Sequence, residues 1–91
     1  MIDWSKFEII WDKRNKRHIL KHFIDLEEVE RALYDPNKYI KRVGEQRYMI
    51  IGATFGRVLF IVVEDKGSNR VRPITAYDAD KKMKRLYKSK R

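Results

Sequence analysis

No cysteine occurs among the 91 residues, which excludes disulfide scaffolds, cysteine–zinc sites and thiol nucleophiles together. That absence agrees with a reducing compartment and leaves stability to the core and hydrogen bonds. No apolar run approaches the roughly eighteen residues of a membrane-spanning helix. The start, Met1-Ile2-Asp3-Trp4, has neither the basic region nor the apolar stretch of a secretion signal. A cytoplasmic protein with no membrane partner is therefore expected. Proline and glycine are scarce, at two and four residues, and no repeat or low-complexity linker divides the chain. One domain over residues 1–91 follows, able to bury roughly 60–65% of the surface its unfolded form exposes. Acidic residues are missing altogether after Asp80: Lys81 to Arg91 carries seven basic residues, while Met1 to Asp80 nearly balances at 15 basic against 13 acidic.

A hydrophobic fraction of 43% is too high for a disordered chain, despite 38% charged residues. The net charge of +9 is concentrated in the terminal segment. Such a patch suits a polyanion, because each cation set against a phosphate releases condensed counterions. An acidic protein partner would satisfy the same field, and solubilisation alone is the simplest alternative.

Periodicity and turn chemistry outline the elements. Phe7 to Trp11 is short, apolar and β-prone, and Asp12 can cap a following helix. On that helix Ile19, Leu20 and Phe23 make an apolar stripe, Arg14, Arg17 and Lys21 lie opposite, and Asn15, His18 and His22 run along one edge. Asp25 to Glu28 has the form of a capping box, opening a helix to about Tyr34 that buries Leu26, Val29, Ala32 and Leu33. Asp35-Pro36-Asn37 ends it. Strand-like runs follow at Arg47–Ala53, Arg57–Glu64 and Arg70–Ala76, with a weaker one at Lys38–Arg42, joined by short glycine-containing turns. Pro73 places the last run at a sheet edge or where no ladder bond is needed. Asp78 can cap a final helix with Met83, Leu86 and Tyr87 inward. The expected fold is α+β, a three- to four-stranded antiparallel sheet in the order β-α-α-β-β-β-α. Its helices lie mainly on one face, leaving the other face for a substrate.

Several of these residues occur in a family pattern. Trp11-Asp12, Asn15, His18-Ile19, His22 and Glu27-Glu28-Val29-Glu30, then Arg47-Tyr48, Gly52, Gly56-Arg57 and Arg72-Pro73-Ile74-Thr75-Ala76, follow one another as in the BrnT-like toxins, and the chain resembles that family over nearly its whole length. The resemblance implies a fold similar to the RelE group of toxins, RNA cleavage as the activity, and a cognate antitoxin, often of ribbon-helix-helix type. Two positions depart from the pattern. Tyr77 stands where many relatives carry arginine, and Phe23 follows Lys21-His22 where glycine is common.

RNA can supply its own 2′-hydroxyl as nucleophile. The protein must then move two protons and stabilise charge on phosphorus oxygens, which histidine or carboxylate and arginine or lysine can do without cofactor or metal. Arg47, Arg57 and Arg72 are the phosphate candidates, since the arginine fork matches phosphate oxygens; the plain alternative is pairing with Glu45 or Glu64. His18 and His22, at i and i+4, share a helix face and suit proton transfer, although helix packing explains the same spacing. A metal held there would need a third ligand that the sequence does not nominate. Glu45 is a candidate base and Tyr77 a candidate proton donor or stacking ring. Lys81, Lys82, Lys84, Arg85 and Lys88 could follow an RNA backbone or bind an acidic antitoxin segment; a single surface serving both would make neutralisation an occlusion of the RNA site. Among Trp4, Trp11 and Phe55, Phe55 at a hairpin tip is the best base-stacking ring. A non-enzymatic module binding nucleic acid or protein on this basic face is the alternative function.

Overall fold

The computed structural model describes residues 2–89, so Met1 and two cations of the basic tail, Lys90 and Arg91, lie outside the described residues. The elements are β1 (Glu8–Ile9), α1 (Lys13–Leu20), α2 (Leu26–Leu33), β2 (Tyr39–Arg42), β3 (Arg47–Thr54), β4 (Arg57–Asp65), β5 (Arg70–Asp78) and α3 (Lys81–Ser89). They build one five-stranded sheet in the order β1-β5-β4-β3-β2. The expected meander is present as four antiparallel strands, and the weak run at Tyr39–Arg42 is a true edge strand. The sheet gains a fifth strand, because β1 pairs in parallel with β5 through Glu8–Arg70 and Ile9–Val71.

α1 forms through local hydrogen bonding at its start. Asp12 Oδ1 accepts the Asn15 N–H at 3.0 Å, and Asn15 Oδ1 accepts the Asp12 N–H at 2.8 Å, a reciprocal box with asparagine in place of the usual glutamate. The helix stops at Leu20, earlier than its apolar stripe suggested. Ile19 is fully buried, but Leu20 is 48% and Phe23 91% exposed. The turn that follows gives Phe23 a φ of 59°, which ends the helical periodicity, and Ile24 fills the buried place instead. α2 opens with the Glu28 carboxylate accepting the Asp25 N–H at 3.0 Å. It buries Val29, Ala32 and Leu33, with Leu26 half-buried.

Alternation along the strands makes a core on each face of the sheet. Ile50, Leu59, Ile61, Val63, Val71 and Ala76 meet α1 and α2 on one face. Ile51 and Phe60 meet Ala79 and Tyr87 on the other, with Met83 and Leu86 packed beside them. The second face is therefore partly covered by α3, not left open as expected. Asp80, not Asp78, starts that helix, accepting the Met83 N–H at 2.9 Å, while Asp78 remains in β5. α3 is tied down through the buried Asp35. Its Oδ2 accepts from Tyr87 Oη at 2.6 Å and from the Ala53 N–H at 2.9 Å, and its Oδ1 accepts the Asn37 N–H at 2.9 Å. Burial alone would raise the Asp35 pKa, but these donors outweigh it and hold the carboxyl below its ordinary value.

Pro73 sits in β5 beyond the two residues that β1 pairs, where the register against β4 slips between Val62 and Val63. Its missing N–H costs no ladder bond there. Trp11 is half-buried and donates Nε1–H to Glu30 at 2.7 Å, and Trp4 meets Phe7 and Tyr48 edge-on, so both tryptophans serve packing. Among the described residues no helix is long and apolar enough to cross a membrane.

Gly52 is the point of closest approach between α2 and the sheet: a Cβ there would lie 2.2 Å from the Ala32 carbonyl oxygen. Gly52→Ala should destabilise the fold by about 1–3 kcal/mol through forced displacement of α2, whereas Gly44→Ala, whose Cβ would meet only Arg47 Cβ at 3.6 Å, should unfold like the parent. Denaturant titration of both variants checks this, and equal midpoints would contradict the close approach.

Candidate active site

The site is built where α1 crosses the outer edge of β5. Asn15, 2% exposed, donates Nδ2–H to the carbonyls of Ile10 and Pro73, each at 3.0 Å. This locks the helix against the strand at the residue that β1 leaves uncovered. Asp12 completes the joint, its Oδ2 accepting Arg72 Nε–H at 2.8 Å and its Oδ1 accepting Nη2–H at 3.2 Å. The Arg72 hydrogen bond, followed by the Asn15 N–H, holds the Asp12 carboxyl down at a pKa of about 2.

Arg72 is thereby aimed along α1, and with Arg14, Asn15, His18 and Ile74 it lines a shallow depression of about 190 Å³. The His18 and His22 rings lie 5.5 Å apart, nearly perpendicular. His22 is 6.3 Å from Tyr77, whose ring stacks on Phe60 at 4.9 Å. A continuous strip of two guanidinium groups, two imidazoles and a phenol therefore runs along the α1–β5 edge. Two guanidinium groups, one of them held in place by Asp12, can bind a phosphate, and imidazoles beside them can exchange protons with its ester oxygens. His18 and His22 meet without a third ligand; among the described residues no three His, Asp or Glu side chains are placed to hold a metal ion.

The other sequence candidates separate from this strip. Glu64 lies between Arg47 and Arg72 in cross-strand register, so Arg47 is exposed two strands from Arg72, about 10 Å away. Arg57 is at the opposite end of β4, about 23 Å along the strand from Glu64. Its guanidinium donates to Glu28 at 2.9 and 2.6 Å, to Asp78 at 3.3 Å and to the Phe23 carbonyl at 3.2 Å. This fork joins α2 to β5 and, through its hydrogen bond, holds the Glu28 carboxyl below the usual range. Glu45 is exposed in the β2–β3 turn, where its carbonyl accepts from Arg42 at 2.6 Å. Phe55 is half-exposed at the β3–β4 hairpin, with the Arg31 guanidinium 4.1 Å above its ring. Lys81, Lys82, Lys84, Arg85 and Lys88 are exposed on α3, which packs over β3, two strands from the cleft.

Two contributors escaped the sequence reading. Arg14 shares the solvent face with Arg17 and Lys21, although its i, i+4 spacing to His18 places it at the strip's edge. Asp12 read only as a helix cap, since nothing local announces a partner 60 residues away.

Comparison with known proteins agrees with this architecture. Residues 11–82 match the family model described as the ribonuclease toxin, BrnT, of type II toxin-antitoxin systems. The crystal structure of the Brucella abortus ribonuclease toxin, BrnT, superposes with a TM-score of 0.64 at 24% identity, covering 84% of this chain and 100% of that one. That likeness is one of fold. No curated protein matches the chain.

Asn caps helices as well as Asp does, so Asp12→Asn removes the charge facing Arg72 while leaving a cap. Because the folded pKa of Asp12 lies at about 2, below its ordinary 3.8, its contribution is complete above pH 3.8 and is lost as pH falls through 2. The parent's stability advantage over Asp12→Asn should therefore shrink across that window. A difference independent of pH in acid denaturation would show that the Asp12–Arg72 pair is not formed in solution.

Proposed function

The chain belongs to the family of BrnT-type ribonuclease toxins of type II toxin–antitoxin systems, and from that premise we propose that it is a cytoplasmic, single-domain endoribonuclease whose α1–β5 cleft cleaves RNA by attack of the substrate's own 2′-hydroxyl. The observation that carries this reading is the convergence of Arg14, His18 and Arg72 on one depression. In the proposed reaction the reacting phosphate sits between the two guanidinium groups, which meet the charge that builds on its non-bridging oxygens. One imidazole of the His18–His22 pair accepts the 2′-hydroxyl proton as the O2′–P bond forms. The other donates a proton to the 5′-oxygen as the P–O5′ bond breaks, leaving a cyclic phosphate and a free 5′-hydroxyl. Tyr77, beside His22, is assigned to stacking on a neighbouring base or to assisting the second transfer. No metal is required, because the substrate supplies the nucleophile and arginine supplies the charge.

Arg47, exposed in the same cross-strand row as Arg72, is assigned to a neighbouring phosphate. Arg57 already has protein partners on every arm and is assigned to holding the fold. The basic face of α3, formed by Lys81, Lys82, Lys84, Arg85 and Lys88, is assigned to an acidic segment of a cognate antitoxin, of ribbon-helix-helix type, whose binding neutralises the toxin.

Expression of the chain alone should arrest growth and degrade RNA, and co-expression of the neighbouring gene's product should relieve both. Arg14 and His18 are exposed and form no ion pair among the described residues, so Arg14→Ala and His18→Ala should leave folding intact. Each should lower kcat/KM on RNA by about 10²- to 10³-fold. Unchanged toxicity in both variants would place the active site elsewhere, and tight binding of RNA that stays intact would favour a non-enzymatic module.

A further inference from the structure

α1 is cationic to a degree that its own stability opposes. Lys13, Arg14, Lys16, Arg17 and Lys21 follow one another with no acid among them, and the first turn, which favours carboxylates, carries none. Lys13 and Arg17, like Arg17 and Lys21, are like charges at i, i+4 and repel. Among the described residues none of the five forms an ion pair. The helix is held instead by its Asp12–Asn15 box and the burial of Ile19, so its charges are free for an external anion.

The turn that follows this helix holds an aromatic out in water. Phe23 is 91% exposed at a φ of 59°, a conformation unfavourable for a bulky side chain. Its backbone is pinned on both sides: the Phe23 N–H donates to the Leu20 carbonyl at 3.1 Å, and its own carbonyl accepts Arg57 Nη2–H at 3.2 Å. Because Arg57 is in turn fixed by Glu28 and Asp78, the ring is presented by a rigid turn.

We propose that this face of α1 is the track for the single-stranded RNA that flanks the reacting phosphate, a track that starts from the reacting phosphate at Arg14 and sets the next phosphates on Arg17 and Lys21 and a base on Phe23. The inference rests on the reading of the α1–β5 cleft as the RNA site. RNA is favoured over an acidic protein segment by continuity, since Arg14 belongs both to the cleft and to the cationic row. From Arg14 to Lys21 the row runs about 10 Å along the helix axis. Cations following the backbone beside a ring that stacks on unpaired bases are the two elements of sequence-tolerant single-strand binding.

Fluorescence anisotropy with a short single-stranded RNA, 2′-O-methylated so that it cannot be cut, tests the track on the full chain across a range of salt. Phe23→Ala should weaken binding about tenfold with an unchanged salt slope, and Phe23→Tyr should restore it. Arg17→Gln with Lys21→Gln should lower the slope of log affinity against log salt by about 1.4, the value for two phosphate contacts on a single strand. Lys84→Gln with Lys88→Gln on α3 should change neither. Because all these side chains are exposed, no variant should unfold at a lower temperature than the parent, and the loss of like-charge repulsion in the Arg17→Gln, Lys21→Gln variant can only favour α1. Parent-like binding by the α1 variants, or a loss that follows α3 instead, would overturn the proposal. Cleavable RNA separates it from the reading of the cleft: binding through α1 without cleavage upholds the track and defeats the ribonuclease chemistry, whereas cleavage with unaltered binding in the α1 variants does the reverse.

Discussion

The joint of Asp12, Asn15 and Arg72 holds together what the rest of the site depends on. One carboxylate satisfies the free amide at the start of α1 and fixes an arginine of β5. One buried amide side chain ties the helix to two carbonyls, one of them on a residue that cannot itself donate to the sheet. With the helix so anchored, His18 and His22 follow at one and two further turns, along the strand edge where Tyr77 emerges. The positions of these groups are consequences of capping and of the asparagine lock, and their chemistry is available only because the joint sets the angle between helix and strand.

Arginines of similar sequence context meet different ends in this fold. Arg57 and Arg72 each occur within a β-prone run and each finds carboxylates, but Arg57 is surrounded by Glu28, Asp78 and a backbone carbonyl. Arg72 is held from one side only and lines the depression beside Arg14 and His18. A guanidinium gripped by one carboxylate is oriented and still has N–H groups to offer; one gripped by three acceptors is a structural clamp. Asp35 plays the corresponding part on the other face of the sheet, joining the end of α2, β3 and α3 through one carboxyl group.

Local signals in the sequence are legible where a local interaction decides the outcome. Asp12 and Asp25 begin helices because their neighbours three residues on can close a box, and the turns around Gly56 and Gly67 adopt positive φ, as hairpins of this length require. What could not be read was decided by contacts between distant residues. The parallel pairing of β1 with β5 joins residues more than 60 positions apart. The helix containing Met83, Leu86 and Tyr87 had an evident apolar side, but periodicity names a buried face without saying which face of the sheet receives it. Phe23 satisfied the helical period and still points to water, because the turn after Leu20 reverses its direction.

By itself, then, the sequence determined the element order, the starts of the first two helices, the alternation that lets one sheet carry two cores, and the residue types available for RNA chemistry. All of these depend on interactions within a few positions along the chain. Tertiary structure alone decided that Arg14 and Arg72 share a cleft with His18, that Arg57 is a clamp, and that α3 covers the second face. Those outcomes turn on which carboxylate or carbonyl a long side chain meets, and that partner is supplied by a segment brought close only when the sheet closes.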